Sequence, residues 1–417
     1  MFALVDCNNF YTSCEMLFRP DLRDRPVVVL SNNDGCVVAR SPLAKAMGIP
    51  MGVPAFQVRH LEKQAGLVMF SSNYALYGDM SARVMATLEQ LVPEVEAYSI
   101  DEAFLGLHGL PATTLPSLAR RIRRTIDRHQ GLPVCVGIAP TKTLAKLANH
   151  AAKTWPATQG TVILTDPARQ QRLMSLLPVG TIWGIGRRMV GHLEQLGIHT
   201  ALDLARSHPA TLRKRFSVVI ERLVRELNGE PCLPLDLLPG PRKHIVASRS
   251  FGNRVTERRV IGHAVASHTW RASERLRQDD NLARQMTVYI RTGAKDPNYY
   301  GNAASGAFAQ PTRDTRQLLD MAHRLLDQLW QPGYRYAKAG VVLTDLCHRH
   351  QQQTDLFGDR PGSDALMDVM DRINHSGKGK VWLAGQGMQA DRKAWEMKRL
   401  RLSPSYTTDW QQIPEVS

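Results

Sequence analysis

Aromatic residues make up only 6% of the 417 positions, and the six cysteines (7, 14, 36, 135, 232, 347) form no CxxC pair. Thiols spaced so widely suggest neither a zinc site nor a disulfide framework, and they fit reduced side chains in a cytoplasmic protein. No run of about 18 apolar residues occurs, so no transmembrane helix is expected and no membrane partner. The opening MFALVDCNNFY lacks the basic and long apolar regions of a secretory signal. Acidic residues are in deficit, 38 Asp and Glu against 53 Lys and Arg, for a net charge of +15. That imbalance points to an anionic polymer as partner, most simply nucleic acid. Residues 241–350 hold 18 basic and nine acidic side chains, +9 of the total, and are the expected electrostatic footprint. Hydrophobic content, 43%, is that of a globular chain, and the length suits several domains of about 100–200 residues.

Strand and helix signals alternate through the first 165 residues. MFALVDC and RPVVVLSNN read as strands, the second ending in the turn NNDG. SPLAKAMGI reads as a helix closing at Gly48, LVMFSSN as a strand, and YALYGDMSARVMATLEQLV as a long helix with apolar residues three and four apart. EVEAYSI and AFLGL form an expected hairpin; a basic amphipathic helix, the strand LPVCVGIA and the helix TKTLAKLANHAAK follow. This order implies an α+β core with a mostly antiparallel sheet. From 166 to 232 strand signals vanish and short helices are expected. The proline-rich PCLPLDLLPGPRK reads as a linker. Beyond it HIVASRSFGN, ARQMTVYIRTG and KAGVVLTDL read as strands, with two amphipathic helices between them, as a second α+β domain. The last 60 or so residues are weakly patterned, a tail with one or two helices.

At the tip of the expected hairpin stand two adjacent acids, Asp101 and Glu102. A hairpin tip is often polar for trivial reasons. Asp6, however, also ends an apolar strand, and three acids at strand ends can share one cleft. Packed together they repel unless cations sit among them. Oxygen-only donors suit Mg²⁺, and a pair of such ions can clamp the attacking and leaving oxygens of a phosphoryl displacement. Lys45, Lys142 and Lys146 follow two separate strands, and each is a candidate to meet a triphosphate. In IWGIGRRMVGHLEQLGI (182–198), Gly184 and Gly186 make a Gly-x-Gly hairpin with Arg187 and Arg188 behind it, the signature of a helix-hairpin-helix. Its glycines let backbone amides approach a DNA phosphate, a contact independent of base sequence. QTDLFG (353–358) could offer Leu356 and Phe357 to a partner's pocket, with Gln353 beside them.

Taken together, DCNNFYTSCE (6–15), VVVLSNNDGCVVARS (27–41), FSSNYALYGDMSARVM (70–85), YSIDEAF (98–104), VGIAPTKTLAKLANHAAK (136–153), IWGIGRR (182–188), ELNGEPC (226–232), SRSFG (248–252) and MKRLRLSPSYTT (397–408) resemble the Y-family translesion DNA polymerases, UmuC type, the catalytic subunit of bacterial DNA polymerase V and its plasmid-borne relatives. The resemblance spans nearly the whole chain. It implies low-fidelity, template-directed nucleotidyl transfer by two Mg²⁺ ions as part of the SOS response to DNA damage. Asp6 and Asp101 look like the metal-bridging carboxylates, Glu102 like the acid beside the primer 3′-hydroxyl, and the Cys7 carbonyl would complete one metal shell. Tyr11 falls where the family keeps an aromatic ring that crowds a ribose 2′-hydroxyl, with Phe10 packed beside it. Lys45 and Lys146 match positions that touch the incoming dNTP. Gln353, Leu356 and Phe357 are similar to a sliding-clamp peptide, with the polar Thr354 and Asp355 between them. Pro42 stands where many relatives have a triphosphate-contacting Tyr, and Lys45 where they often have Arg, so the grip on the triphosphate departs from the family pattern.

The same resemblance implies a right-hand polymerase: a palm over 1–165 with small fingers inserted at about 20–75, a helical thumb over 166–232, a linker over 233–242, a little finger over 243–350 and a partner-binding tail over 351–417. Implied partners are primer-template DNA, dNTPs, the sliding clamp, a UmuD′-type subunit and the RecA filament. A rival is a non-catalytic DNA-binding or clamp-recruited scaffold with a polymerase fold. A nucleotide cyclase of palm fold is a third reading, against which the helix-hairpin-helix and the basic second domain argue.

Overall fold

The structure, a computed structural model, describes residues 1–238, 240–351, 363–377, 379–387 and 395–413. The chain forms two compact units. The first comprises Met1–Ser31, Gly35–Pro239 and Arg401–Ser417; the second comprises Asn32–Asp34 and Gly240–Leu400.

The first unit contains strands β1 (Phe2–Cys7), β2 (Val27–Leu30), β3 (Val37–Arg40), β4 (Val68–Ser71), β5 (Glu94–Ala97), β6 (Glu102–Gly106), β7 (Val134–Ala139) and β8 (Thr161–Ile163). Five of them make one sheet in the order β5-β6-β1-β7-β8, antiparallel except for the β7–β8 pair. All six residues of β1 are buried, because it is the central strand with helices on both faces. Its alternation sorts those faces. Ala3, Val5 and Cys7 join a core with the helices Tyr74–Leu91 and Leu115–Gln130, whereas Phe2 and Leu4 pack with the helix Lys142–Thr154 and the helices beyond it. Asp6, by its period-two spacing from Phe2 and Leu4, faces the helix Lys142–Thr154. A second sheet, β3-β2-β4, has its own small core around Val28, Leu30, Val37, Ile49 and Met69.

Helix Lys142–Thr154 lies unusually close to the sheet. A Cβ on Gly137 of β7 would come within 2.2 Å of the Asn149 nitrogen and 2.4 Å of the Ala145 carbonyl oxygen, so only glycine admits this approach. The Asn149 side chain then donates to the carbonyls of Leu4 and Cys135, 3.1 and 2.8 Å away, pinning the helix to two strands. Its start is held by buried Glu226, which accepts from the Thr143 amide at 3.0 Å. Glu226 ends the helix Val218–Leu227 and also accepts from the amides of Cys232 and Leu233, at 2.7 and 3.1 Å.

The second unit has β9 (His244–Val255), β10 (Asn281–Arg291), β11 (Gly301–Thr312) and β12 (Tyr336–His348), all antiparallel in the order β11-β10-β12-β9. Helices Arg258–Gln278 and Thr315–Leu329 supply its core. The sequence signals missed β11. Its GNAASGAFAQPT is built of small residues and lies at a sheet edge with half of its residues exposed, so no period-two apolar pattern marks it. The short β3 and β8 were missed as well. Among the described residues of the C-terminal region there is one α-helix, Asp364–His375; it buries Met367 and Met370 beside Trp270, and Arg277 pairs with Asp371 at 2.6 Å. Among the described residues no helix is long and apolar enough to cross a membrane.

Candidate active site

Strand register brings two of the three acids together. Asp6 of β1 is directly opposite Glu102 of β6, and the Cys7 amide donates to the Asp101 carbonyl at 2.8 Å. Asp101 occupies the turn between β5 and β6, where its Oδ1 accepts from the Ser99 hydroxyl at 2.6 Å. That hydroxyl also accepts from the Glu102 amide at 3.1 Å, so Ser99 shapes the hairpin tip. Cys7 is buried, and its thiol adds nothing to the cleft. The three carboxylates form a loose set. Among the described residues, the group of His, Cys or acidic side chains whose ligand atoms all lie within 4.8 Å is Asp280, His348 and His350 in the second unit, where Arg313 already pairs with Asp280 at 3.1 Å.

Asp6 is 6% exposed. Burial pushes its carboxyl up to about 7, against the opposing pull of the Lys153 ammonium with which it is ion-paired. Burial acts on Glu102 in the same direction, but its hydrogen bonds with Asp6 and Lys146 outweigh it and hold Glu102 below the usual carboxylate range. Lys146 pairs with Glu102 at 2.9 Å and lies over the rings of Tyr98 and Trp183, 4.8 and 5.4 Å from their centroids. Trp183 donates to the Tyr98 hydroxyl at 3.1 Å, tying the 182–188 segment to the hairpin.

Lys153 was not among the residues that the sequence suggested. A signal was present: positions 142, 146, 149 and 153 share one helical face, the face that meets the sheet, where apolar residues are the rule. Lys142 has a different fate from the one expected. It is 4% exposed, ion-paired with Glu96 and stacked over the Phe104 ring, so it braces the sheet and offers no charge to a ligand.

A cleft of about 290 Å³ beside Asp6 is lined by Asn8, Asn9, Pro42, Lys45 and Lys153. Lys45 is exposed and bonded to the Asn9 side chain; burial, Arg40 and Lys153 hold its ammonium below its ordinary range. Two cations thus flank one cleft next to a buried acid. Tyr11 is the second residue of the helix Phe10–Leu17 that follows Asn9; it is half-buried and stacks on Tyr77 with ring centroids 4.4 Å apart and planes 15° apart. Phe10 is 3% exposed and belongs to the core, so it supports Tyr11 and has no free face for a nucleotide.

Gly184, at φ +87°, and Gly186, the residue before the helix Arg187–Glu194, form an exposed turn anchored by buried Ile185. The expected first helix of that motif is a single 3-10 turn, Val179–Thr181. Arg187 and Arg188 are exposed at the start of the helix. Gln353, Leu356 and Phe357 lie outside the described residues.

Comparison with known proteins gives three family matches: impB/mucB/samB family over residues 5–150, its C-terminal domain over 242–356, and a domain of unknown function (DUF4113) over 364–416. The chain is 50% identical to Protein SamB of Salmonella typhimurium, covering 99% of each, and 50% identical to Protein UmuC of Salmonella typhimurium strain LT2, covering 100% of each. It is 31% identical to DNA polymerase IV of Moorella thermoacetica, covering 85% of this chain and 88% of that one. Among solved structures, a Y-family DNA polymerase chimera of Dbh and Dpo4 has the same fold, with a TM-score of 0.69 at 21% identity, covering 84% of this chain and 100% of that one.

Proposed function

The chain belongs to the impB/mucB/samB family, and on that footing we propose that it is a DNA-directed DNA polymerase that carries out translesion synthesis within the SOS response. The observation that carries this reading is the cross-strand pair of Asp6 and Glu102, with Asp101 in the adjoining turn, beside a cleft flanked by Lys45 and Lys153. Asp6 is ion-paired with Lys153, and the carboxylates of Asp6, Asp101 and Glu102 with the Cys7 carbonyl are all oxygen donors, the set that Mg²⁺ prefers. Two Mg²⁺ held there supply charge neutralisation at the triphosphate and a more acidic attacking hydroxyl.

The remaining roles belong to the side chains. Lys45 and Lys153 draw the triphosphate into the cleft as point charges. Glu102, kept ionised by Lys146, accepts a hydrogen bond from the primer 3′-hydroxyl. The Tyr11 ring crowds the sugar C2′ position and disfavours ribonucleotides. Backbone amides at Gly184–Gly186, with Arg187 and Arg188, hold DNA phosphates without reading sequence. In the hand analogy the five-stranded sheet is the palm, the β3-β2-β4 sheet the fingers at about 20–75, residues 166–232 the thumb, 243–350 the little finger and 351–417 the tail. Gln353, Leu356 and Phe357 are proposed for the sliding clamp, and a UmuD′-type subunit and RecA as regulatory partners.

The test is running-start primer extension on an undamaged template and on one with an abasic site, with and without clamp and UmuD′-type subunit. The intact chain extends both, and Asp101→Ala extends neither while keeping salt-sensitive binding to the duplex. If both proteins bind but neither extends under any condition, the scaffold reading replaces this one.

A further inference from the structure

The C-terminal segment returns to the first unit and packs at the end of β4 and against the helix Phe10–Leu17. Ser71 and Arg401 exchange two hydrogen bonds at the end of β4, the Ser71 amide to the Arg401 carbonyl at 2.9 Å and the Arg401 amide to the Ser71 hydroxyl at 3.0 Å. The Arg401 guanidinium grips Glu62 through both carboxylate oxygens. Two residues on, Ser403 is buried. The Asn73 side chain donates to its carbonyl and its hydroxyl, at 3.2 and 3.0 Å, and the hydroxyl donates to Glu15 at 3.1 Å. Tyr406 then stacks on Phe18, centroids 4.7 Å apart, and enters the core of the sheet.

Glu15 is the junction. It is fully buried, and the oxygen that takes the Ser403 hydroxyl also takes the Tyr77 hydroxyl, at 2.6 Å. Tyr77 is fully buried too, and its ring is the plane on which Tyr11 lies. A continuous line therefore runs from tail to gate: Ser403, Glu15, Tyr77, Tyr11. Nothing in it is solvated apart from the outer side of Tyr11, so each bond acts in a low-dielectric interior where its loss is felt in full.

We propose that Arg401–Tyr406 is a positioning element of the sugar gate: by holding Tyr77 through Ser403 and Glu15, this segment fixes the plane of Tyr11 and so sets discrimination between deoxyribo- and ribonucleoside triphosphates. The proposal rests on the gate role given to Tyr11 above. It assigns work to part of the 364–416 region, whose family match carries no function. Ser403, Glu15 and Tyr77 do not touch the nucleotide; they act through Tyr11.

The measurement is the ratio of kcat/KM for a dNTP to that for the matching NTP, in single-nucleotide insertion by the full chain. Four variants are compared with the intact protein: Ser403→Ala, Ser403→Thr, Tyr77→Phe and Tyr11→Ala. Tyr77→Phe keeps the stacked ring and removes only the hydroxyl, so it covers the case in which Ser403→Ala does not fold. Tyr11→Ala should raise ribonucleotide insertion most. Ser403→Ala and Tyr77→Phe should each lower the ratio by about threefold to tenfold, the worth of one buried hydrogen bond. Ser403→Thr, which keeps the hydroxyl, should restore it. If Tyr11→Ala lowers the ratio and the other variants leave it unchanged, or slow both nucleotides equally, the tail is merely structural and the proposal falls while the gate stands. If Tyr11→Ala itself leaves the ratio unchanged, the gate reading falls and takes the proposal with it.

Discussion

Lys153 is the residue on which the electrostatics of the cleft turn. Its ammonium is the counter-charge to a buried Asp6 and also a wall of the cleft proposed for the triphosphate. Lys153→Ala should lower kcat/KM for dNTP insertion by about tenfold to a hundredfold, the range for losing one charge-assisted bond, with little change in duplex affinity. Steady-state insertion kinetics beside a duplex titration check this. Glu15 gives a prediction of a different kind. Burial pushes its carboxyl up to about 7, from 4.5 for an exposed glutamate. Between those values the folded state keeps a proton that the unfolded chain releases. Stability from this group is therefore fully present below pH 4.5 and falls as pH rises to about 7, with a limiting slope of about 1.4 kcal/mol per pH unit. Glu15→Gln keeps the acceptor oxygen and removes the titration. Urea unfolding between pH 5 and 7.5 should show the wild-type midpoint dropping more steeply than that of the variant.

At the scale of elements, the approach of helix Lys142–Thr154 to the sheet decides where two of the lysines stand. Gly137→Ala pushes a Cβ into that helix's backbone. It should cost about 1–3 kcal/mol of stability and lower insertion more than duplex binding, because Lys146 and Lys153 ride on the displaced helix. Thermal unfolding with insertion kinetics tests both halves. The turn at Gly184–Gly186 carries a separate prediction. Arg187→Ala combined with Arg188→Ala should weaken duplex binding equally for unrelated sequences. It should also reduce the slope of log K against log salt by about 1 for each DNA phosphate that is no longer neutralised. Strands with apolar alternation, such as β9, β10 and β12, were legible in the sequence. β11 was not, because its small side chains make no pattern and its place comes from pairing with β10. The first half of the helix-hairpin-helix was misread for a related reason: Val179–Thr181 is too short for a helical period to distinguish a 3-10 turn from an α-helix.

For the whole molecule, the sequence named Asp6, Asp101 and Glu102 as acids sharing one cleft but not which of them face each other across strands. The meeting of Asp6 and Glu102 depends on β1 choosing β6 as neighbour and on the register of that pair, both tertiary choices. Asp101 was legible as a turn residue, yet its bond to Ser99 was not. The C-terminal region was read as a weakly patterned tail with one or two helices, and the helix Asp364–His375 is there. The region's described parts pack into both units, the helix Asp364–His375 in the second through Met367, Met370 and the Arg277–Asp371 pair, and Arg401–Tyr406 in the first through Tyr406 and a set of polar contacts that carry no hydrophobic period. In the proposed function, Asp6, Asp101 and Glu102 form one reaction centre for templated nucleotide transfer. That reading is tested most directly by single-turnover insertion of one correct dNTP at saturating duplex, across a Mg²⁺ titration, for the intact chain and for Asp6→Asn, Asp101→Asn and Glu102→Gln. Insertion should require Mg²⁺ and the templated base, with losses of at least about a hundredfold in each variant and duplex binding retained. Insertion that survives all three substitutions, or that ignores the template, would contradict it.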